Sequence, residues 1–231
     1  MARKLSESQA KKVLGVSGLN VHNGGIRSDE FLPELRGYSA IRKFREMRDN
    51  DSTVGAVMYA AEQVLRDVKF KVVPANKSRK ALKEKEFVES VLDDMEHSLE
   101  DHISDALSFL TYGFSWFEVV YKRRLGPGFR SPEKHSKYSD GRLGVRKLAT
   151  RAPWTVSRFD VDKLDGTVVG VYQNSGYFGK VNYIPASKSL YYRTATINND
   201  PSGRSILRNA YTPYKYLATY RTLKPLLLSV S

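Results

Sequence analysis

Residues 106–121, ALSFLTYGFSWFEVVY, change their hydrophobic period once, at Gly113. Ahead of the glycine, Leu99, Ile103, Leu107 and Leu110 recur three or four apart, which places them on one helix face. Ser98 stands as the N-cap, followed by Glu100 and Asp101 in the first turn, where the helix dipole favours acids. Gly113 ends this helix because it accepts the left-handed conformation that a C-terminus needs. Beyond it, Phe114 to Tyr121 is aromatic and β-branched, which predicts a strand.

Working upstream, Asp51 or Ser52 can cap a helix whose apolar positions are Val54, Val57, Met58, Ala61 and Leu65. Val68, Phe70 and Val72 then alternate with Lys69 and Lys71 up to Pro74, so the spacing predicts a strand over Val68–Val73 with one wet face. Phe87, Val88, Val91, Leu92 and Met95 form the stripe of a further helix. Residues 1–30 lack sustained periodicity and carry an Asn-Gly-Gly turn signal within Val21 to Ser28, so they read as a mobile basic arm.

Downstream, Lys122 to Arg151 holds ten Lys or Arg against only Glu133 and Asp140, interrupted by Gly126, Pro127, Gly128, Ser131 and Pro132. The run is a long basic loop or an irregular hairpin, and phosphate contact and a plain solvated loop explain it equally well. Trp154 to Phe159, Val168 to Gln173, Lys180 to Ile184 and Leu190 to Thr194 read as short strands of a meander, the first two joined through Asp165-Gly166. From Ser205 the helical period returns through Ile206, Leu207, Ala210, Tyr214 and Leu217, with Pro213 expected to kink or divide the helix. The fold class is therefore α+β, helices packed on short antiparallel strands.

Composition narrows the chemistry. The chain has 231 residues, 38 Lys and Arg against 25 Asp and Glu, a net charge of +13, and no cysteine. The charge favours polyanionic partners, nucleic acid first, and the missing cysteines exclude disulfides, thiolate metal sites and cysteine nucleophiles. Neither a signal-peptide pattern nor an apolar run of membrane-spanning length is present. His97 and His102, five apart, would point to different helix faces, which argues against a metal pair. Gly179-Lys180 lacks both the first glycine and the hydroxyl residue of a phosphate-binding loop. Asp160 and Asp162 share one face of an extended strand and are the only candidates for metal-dependent phosphodiester hydrolysis, although a solvated hairpin end explains them better. The late tyrosines, from Tyr172 to Tyr220, read as strand and helix core before base stacking.

Three segments together resemble tailed-bacteriophage portal proteins: Ser52 to Ala75 (STVGAVMYAAEQVLRDVKFKVVPA), Ala106 to Tyr121, and Ile184 to Tyr211 (IPASKSLYYRTATINNDPSGRSILRNAY). The last is the most specific, since its Pro-x-Gly-x-Ser-x-Leu-Arg run fixes a turn and a helix start together. The resemblance implies a mobile arm over 1–30, an α/β wing over 31–202 and the start of a helical stem over 203–231. It implies no cofactor, no metal and no catalysis. Its expected partners are further copies of the chain in a ring, commonly of twelve, the major capsid protein, the terminase motor, a head-tail adaptor and double-stranded DNA, with no membrane. The expected location is the virion portal vertex after assembly in the host cytoplasm. Arg204, Arg208, Lys215 and Arg221 become candidates to face the channel or a neighbouring subunit, joined by Lys122, Arg123, Arg124, Arg142, Arg146 and Lys147 of the basic run. Portal proteins continue into a clip, a second stem helix and a crown, whereas this chain stops at Ser231 after an apolar run, Leu226 to Val230, expected to be covered by a partner or neighbour. The ending suggests a truncation, a split gene or a short form.

Overall fold

The computed structural model describes residues 21–22, 25–26, 30–128, 131, 134–162, 166–174, 180–194 and 199–228, with side chains described between 30 and 224. Most of the expected arm and the end of the apolar terminal run lie outside these residues. Six α-helices are described: α1 (Gly37–Asn50), α2 (Ser52–Arg66), α3 (Arg79–Asp93), α4 (Leu99–Ala106), α5 (Ser108–Tyr112) and α6 (Tyr211–Leu228). The strands are β1 (Val21–His22), β2 (Gly25–Ile26), β3 (Phe114–Arg123), β4 (Leu143–Arg151), β5 (Val156–Val161), β6 (Val168–Asn174), β7 (Val181–Pro185) and β8 (Ser189–Arg193). They form a β1-β2 hairpin and two antiparallel three-stranded sheets, ordered β4-β3-β8 and β5-β6-β7. The class is α+β.

β3 explains why the two sheets and the helices meet. Its first four residues, Phe114 to Phe117, are all buried, because alternate side chains face different layers. Phe114 and Trp116 meet Phe159 of β5 edge-on, while Trp116 also packs on Tyr191. On the opposite face, Ser115 donates its hydroxyl to the Ala106 carbonyl at 2.9 Å, and Phe117 stacks edge-on against His102 of α4, ring centres 4.5 Å apart. Trp116, Val171 and Ile184 form the core between the sheets. A second core lies among helices, where Leu35, Phe44, Met47 and Met58 of the first two helices and their approach enclose Leu207 and Tyr211. Each fully buried large apolar side chain contributes about 1.5–3 kcal/mol relative to exposure.

Several expectations hold in detail. The Asp51 carboxylate caps α2, accepting from the Thr53 and Val54 amides at 3.0 Å each. Ser98 and Asp101 form a reciprocal capping box at α4. Gly113 adopts φ +93°. The basic run is the hairpin of the two alternatives, β3 pairing with β4 and residues 124–142 forming the connection.

Others are corrected. Val68–Val73 is neither helix nor strand: it pairs with none of the described strands, and Phe70 stays 66% exposed. The helix expected from Ser98 to Gly113 is two helices, with Leu107 serving as the C-cap of α4 and the N-cap of α5. α1 was not anticipated, although Ile41, Phe44 and Met47 are its buried face. The terminal helical segment is divided two residues ahead of Pro213 and not at it: a 3-10 turn over Ile206–Ala210 precedes α6, and Pro213 falls in the first turn of α6, where a missing amide hydrogen costs little. The four late strands are not one meander, since β8 leaves β5-β6-β7 to pair with β3.

Candidate subunit and nucleic-acid interface

The turn that opens the last helix is tied down from three directions. The Asp200 carboxylate accepts from the Ser202 amide at 2.9 Å, and the Gly203 amide donates to the Asp200 carbonyl at 3.2 Å. Tyr191 donates its hydroxyl to the Pro201 carbonyl, and burial pushes that phenol well above its ordinary pKa. Thr194 accepts from the Arg204 amide at 2.7 Å while its own amide reaches the Gly113 carbonyl at 3.0 Å. This brings the Gly203 backbone, at φ +63°, against Gly113, where a side chain on either residue meets the other strand's backbone. Ser205 then accepts from the Leu207 amide at 3.1 Å and starts the helical segment.

Of the basic residues on this segment, three are held by acids of the first helical layer. Arg208 donates both arms of its guanidinium to Glu30, at 2.5 and 2.6 Å. That hydrogen bond is the main reason Glu30 lies below the ordinary carboxylate pKa. Lys215 bonds Glu34 at 2.8 Å, and Arg221 stands 3.8 Å from Asp51. Tyr211, buried beside Glu34, has its phenol pushed up to about 12, burial being the larger cause and a hydrogen bond to Glu34 the second. Arg204 is exposed and donates to Asn209 at 2.8 Å.

The basic hairpin is neutralised more completely than its own composition suggests. Lys122 is buried and stands 3.2 Å from the Asp94 carboxylate, whose other contacts are the Ser136 hydroxyl at 2.6 Å and the Lys137 amide at 2.8 Å. Burial alone would raise the Asp94 pKa, and these three donors outweigh it and hold it low. Arg124 is also buried, pairing with Asp140 at 3.3 Å and covering the faces of Phe87 and Tyr138. Arg142 shares Asp140. Arg146 and Lys147 pair with Glu96, Lys137 with Asp93 and Arg151 with Glu118. Lys122 and Arg124 therefore act inside the chain, as a correction to their reading as channel or DNA contacts, whereas Arg123 stays on the surface. Three of the neutralising acids, Asp93, Asp94 and Glu96, come from the end of α3 and the turn after it and Glu118 from β3, all outside the basic run, which itself supplies Asp140.

The candidate acidic pair is not assembled into a metal site. A register shift falls between Asp160 and Val161, so Asp160 and Asp162 lose the strict alternation that would align them, and burial and, to a smaller extent, the charge of Asp160 raise the Tyr183 phenol pKa. Among the described residues no group of three or more His, Cys, Asp or Glu is placed to hold a metal ion, and no helix is long and apolar enough to cross a membrane. The late tyrosines mostly serve packing: Tyr191 and Tyr211 belong to the cores, and Tyr172 lies against Tyr183 at 5.0 Å. Tyr177 lies outside the described residues.

Residues 41–218 match the family model described as the portal protein of Mu bacteriophage. No curated protein sequence matches the chain. Among solved structures, a chain of the virion of the native gene transfer agent particle superposes with a TM-score of 0.53 at 11% identity, covering 81% of this chain and 45% of that one. At that identity the likeness concerns the fold, and the present chain spans less than half the length of that relative. Matched from the middle of α1 into α6, over well more than half its length, the chain belongs to the family of portal proteins of Mu bacteriophage.

Proposed function

We propose that the chain is a ring-forming structural subunit of a phage capsid vertex, surrounding the passage through which DNA is packaged and ejected and to which the tail attaches. The family match over residues 41–218 carries this reading. The wing, residues 31–202, makes shell and neighbour contacts, and residues from 203 onward form the start of the stem. Copies of the same chain, in a ring of about twelve by family analogy, are its first partners; capsid protein, terminase motor, head-tail adaptor and double-stranded DNA follow. The location is the virion, after assembly in the host cytoplasm.

Among the described residues, Arg123 and Arg204 are the exposed candidates outside any ion pair, and Arg142, Lys147, Lys215 and Arg221 keep exposed or partly exposed side chains beside acidic partners. Arg208, Lys215 and Arg221 instead fasten the stem helix to the wing through Glu30, Glu34 and Asp51. No catalytic step is assigned. Incubation of the protein with duplex DNA and magnesium or manganese is expected to leave the DNA intact; cleavage abolished by Asp160→Ala would replace this reading with a nuclease. Ring assembly, measured as mass in solution, is the positive test.

A further inference from the structure

Among the described residues, a run of uncompensated positive charge lies in a segment that belongs neither to the basic hairpin nor to the stem. Residues 66–83 contain Arg66, Lys69, Lys71, Lys77, Arg79, Lys80 and Lys83 against the single acid Asp67, seven cations to one anion. All seven are exposed. Among the described residues, Lys80 alone of the seven is in an ion pair, 3.8 Å from Glu84 with both side chains largely in solvent, and Arg66 has the charge of Asp101 near it. The hairpin shows the opposite: seven of its ten cations are paired with acids, so a comparable local excess is mostly consumed inside the fold.

Placement sharpens the contrast. Val68 to Ala75 has no helix and no sheet pairing, so its lysines project from a connection between α2 and α3. Ser78 then caps α3, accepting from the Ala81 amide at 3.2 Å, and the first turn carries Arg79 and Lys80 with no acid. Cations at that end oppose the helix dipole. α4 shows the ordinary solution, with Glu100 and Asp101 in its first turn. A local rule broken together with an uncompensated charge run marks a surface whose partner supplies the missing anions.

We infer that the α2–α3 connection and the first turn of α3, residues 66–83, form a binding surface for the phosphate backbone of duplex DNA, read without base specificity. Seven exposed cations along one continuous segment suit a linear array of phosphates, which a single bound anion would not require. The inference rests on the portal reading only for where the chain meets duplex DNA. Its binding behaviour stands by itself.

The test is binding of the whole chain to a short mixed-sequence duplex, titrated between about 50 and 200 mM salt. The probe variant is Lys69→Gln, Lys71→Gln, Lys77→Gln and Lys83→Gln together; the charge-matched control is Arg42→Gln, Arg158→Gln, Lys188→Gln and Lys224→Gln, exposed cations outside the channel and hairpin candidates. The probe variant is expected to flatten the dependence of log K on log salt by about 3–4, close to 0.9 for each lost contact, while keeping the wild-type thermal midpoint. The control is expected to retain most of the slope. An unchanged slope in the probe variant overturns the inference, and loss confined to the control overturns it while leaving DNA contact elsewhere on the portal subunit standing. Binding of the wild type to phosphatidylserine vesicles but not to the duplex also overturns it. A light-scattering mass on the same samples judges ring formation independently of either result.

Discussion

Lys122 and Asp94 form an ion pair of 3.2 Å whose side chains are 4% and 3% exposed, and it joins the far end of the central strand β3 to the C-cap of α3. The lysine also donates to the Asp94 carbonyl at 2.6 Å and the His135 carbonyl at 2.8 Å, so its charge is enclosed by acceptors. Removing either partner leaves an enclosed charge without its counterpart. Lys122→Met and Asp94→Leu are each expected to lower unfolding free energy by about 3–5 kcal/mol, and the double variant Lys122→Met with Asp94→Leu by less than either single change. Urea midpoints of the three variants check this; additive losses would show that the two groups act separately.

The crossing of Gly113 and Gly203 predicts a severe effect from one methyl group. In Gly203→Ala the new carbon collides with the Gly113 backbone and the residue sits at φ +63°, so the loop ahead of α6 must shift, at about 2–5 kcal/mol. Gly141→Ala is the control, since that glycine has φ +68° but nothing within 4 Å of an added carbon. It is expected to cost only about 1–2 kcal/mol, from backbone strain alone. Equal shifts in melting temperature for the two variants would rule out the crossing as the cause.

His102 gives the fold a mild acid sensitivity. It is buried against Phe117, its Nε2 lies 3.1 Å from the Tyr192 hydroxyl, and its Nδ1 is buried without a hydrogen-bond partner. Burial lowers its pKa, against a smaller opposing influence from the charge of Asp105. The unfolded chain, with an ordinary imidazole near 6.5, binds more protons than the folded chain between the two values. Stability is thus complete above about pH 6.5 and falls as the pH drops from there through the lowered folded value. His102→Phe is expected to flatten the urea midpoint between about pH 5 and 7; a variant as pH-dependent as the wild type would assign the effect to other groups.

The Arg208–Glu30 fork should distinguish shape from charge. Arg208→Ala is expected to cost about 1.5–3 kcal/mol, and Arg208→Lys to recover only part of it, because an ammonium cannot fill both carboxylate oxygens with the same geometry. The pair's contribution is present above the ordinary carboxylate pKa and is lost as the pH falls through the lowered value of Glu30. Full recovery by lysine would reduce the fork to simple charge attraction.

Local signals in the sequence account for much of this architecture, and the failures share one physical origin. Asp51, Ser98 and Gly113 announce their helix ends because caps act within a few residues. α1 is hidden by Arg42, Lys43, Arg45 and Arg48, which separate Ile41, Phe44 and Met47 and leave a narrow apolar face. Val68–Val73 has a strand's alternation, but a strand also needs an edge to pair with, and that is a matter of tertiary placement. The same distance effect governs the basic run, where Lys122 meets an acid 28 residues upstream. The exposed cations over 66–83 fall outside the basic run that composition singles out.

Ring assembly is the property on which the portal reading depends most directly. Light scattering and negative-stain imaging of the purified chain are expected to show closed rings with a central hole and a mass many times that of one 26.2 kDa subunit. A strictly monomeric protein at concentrations where ring subunits associate would contradict the account.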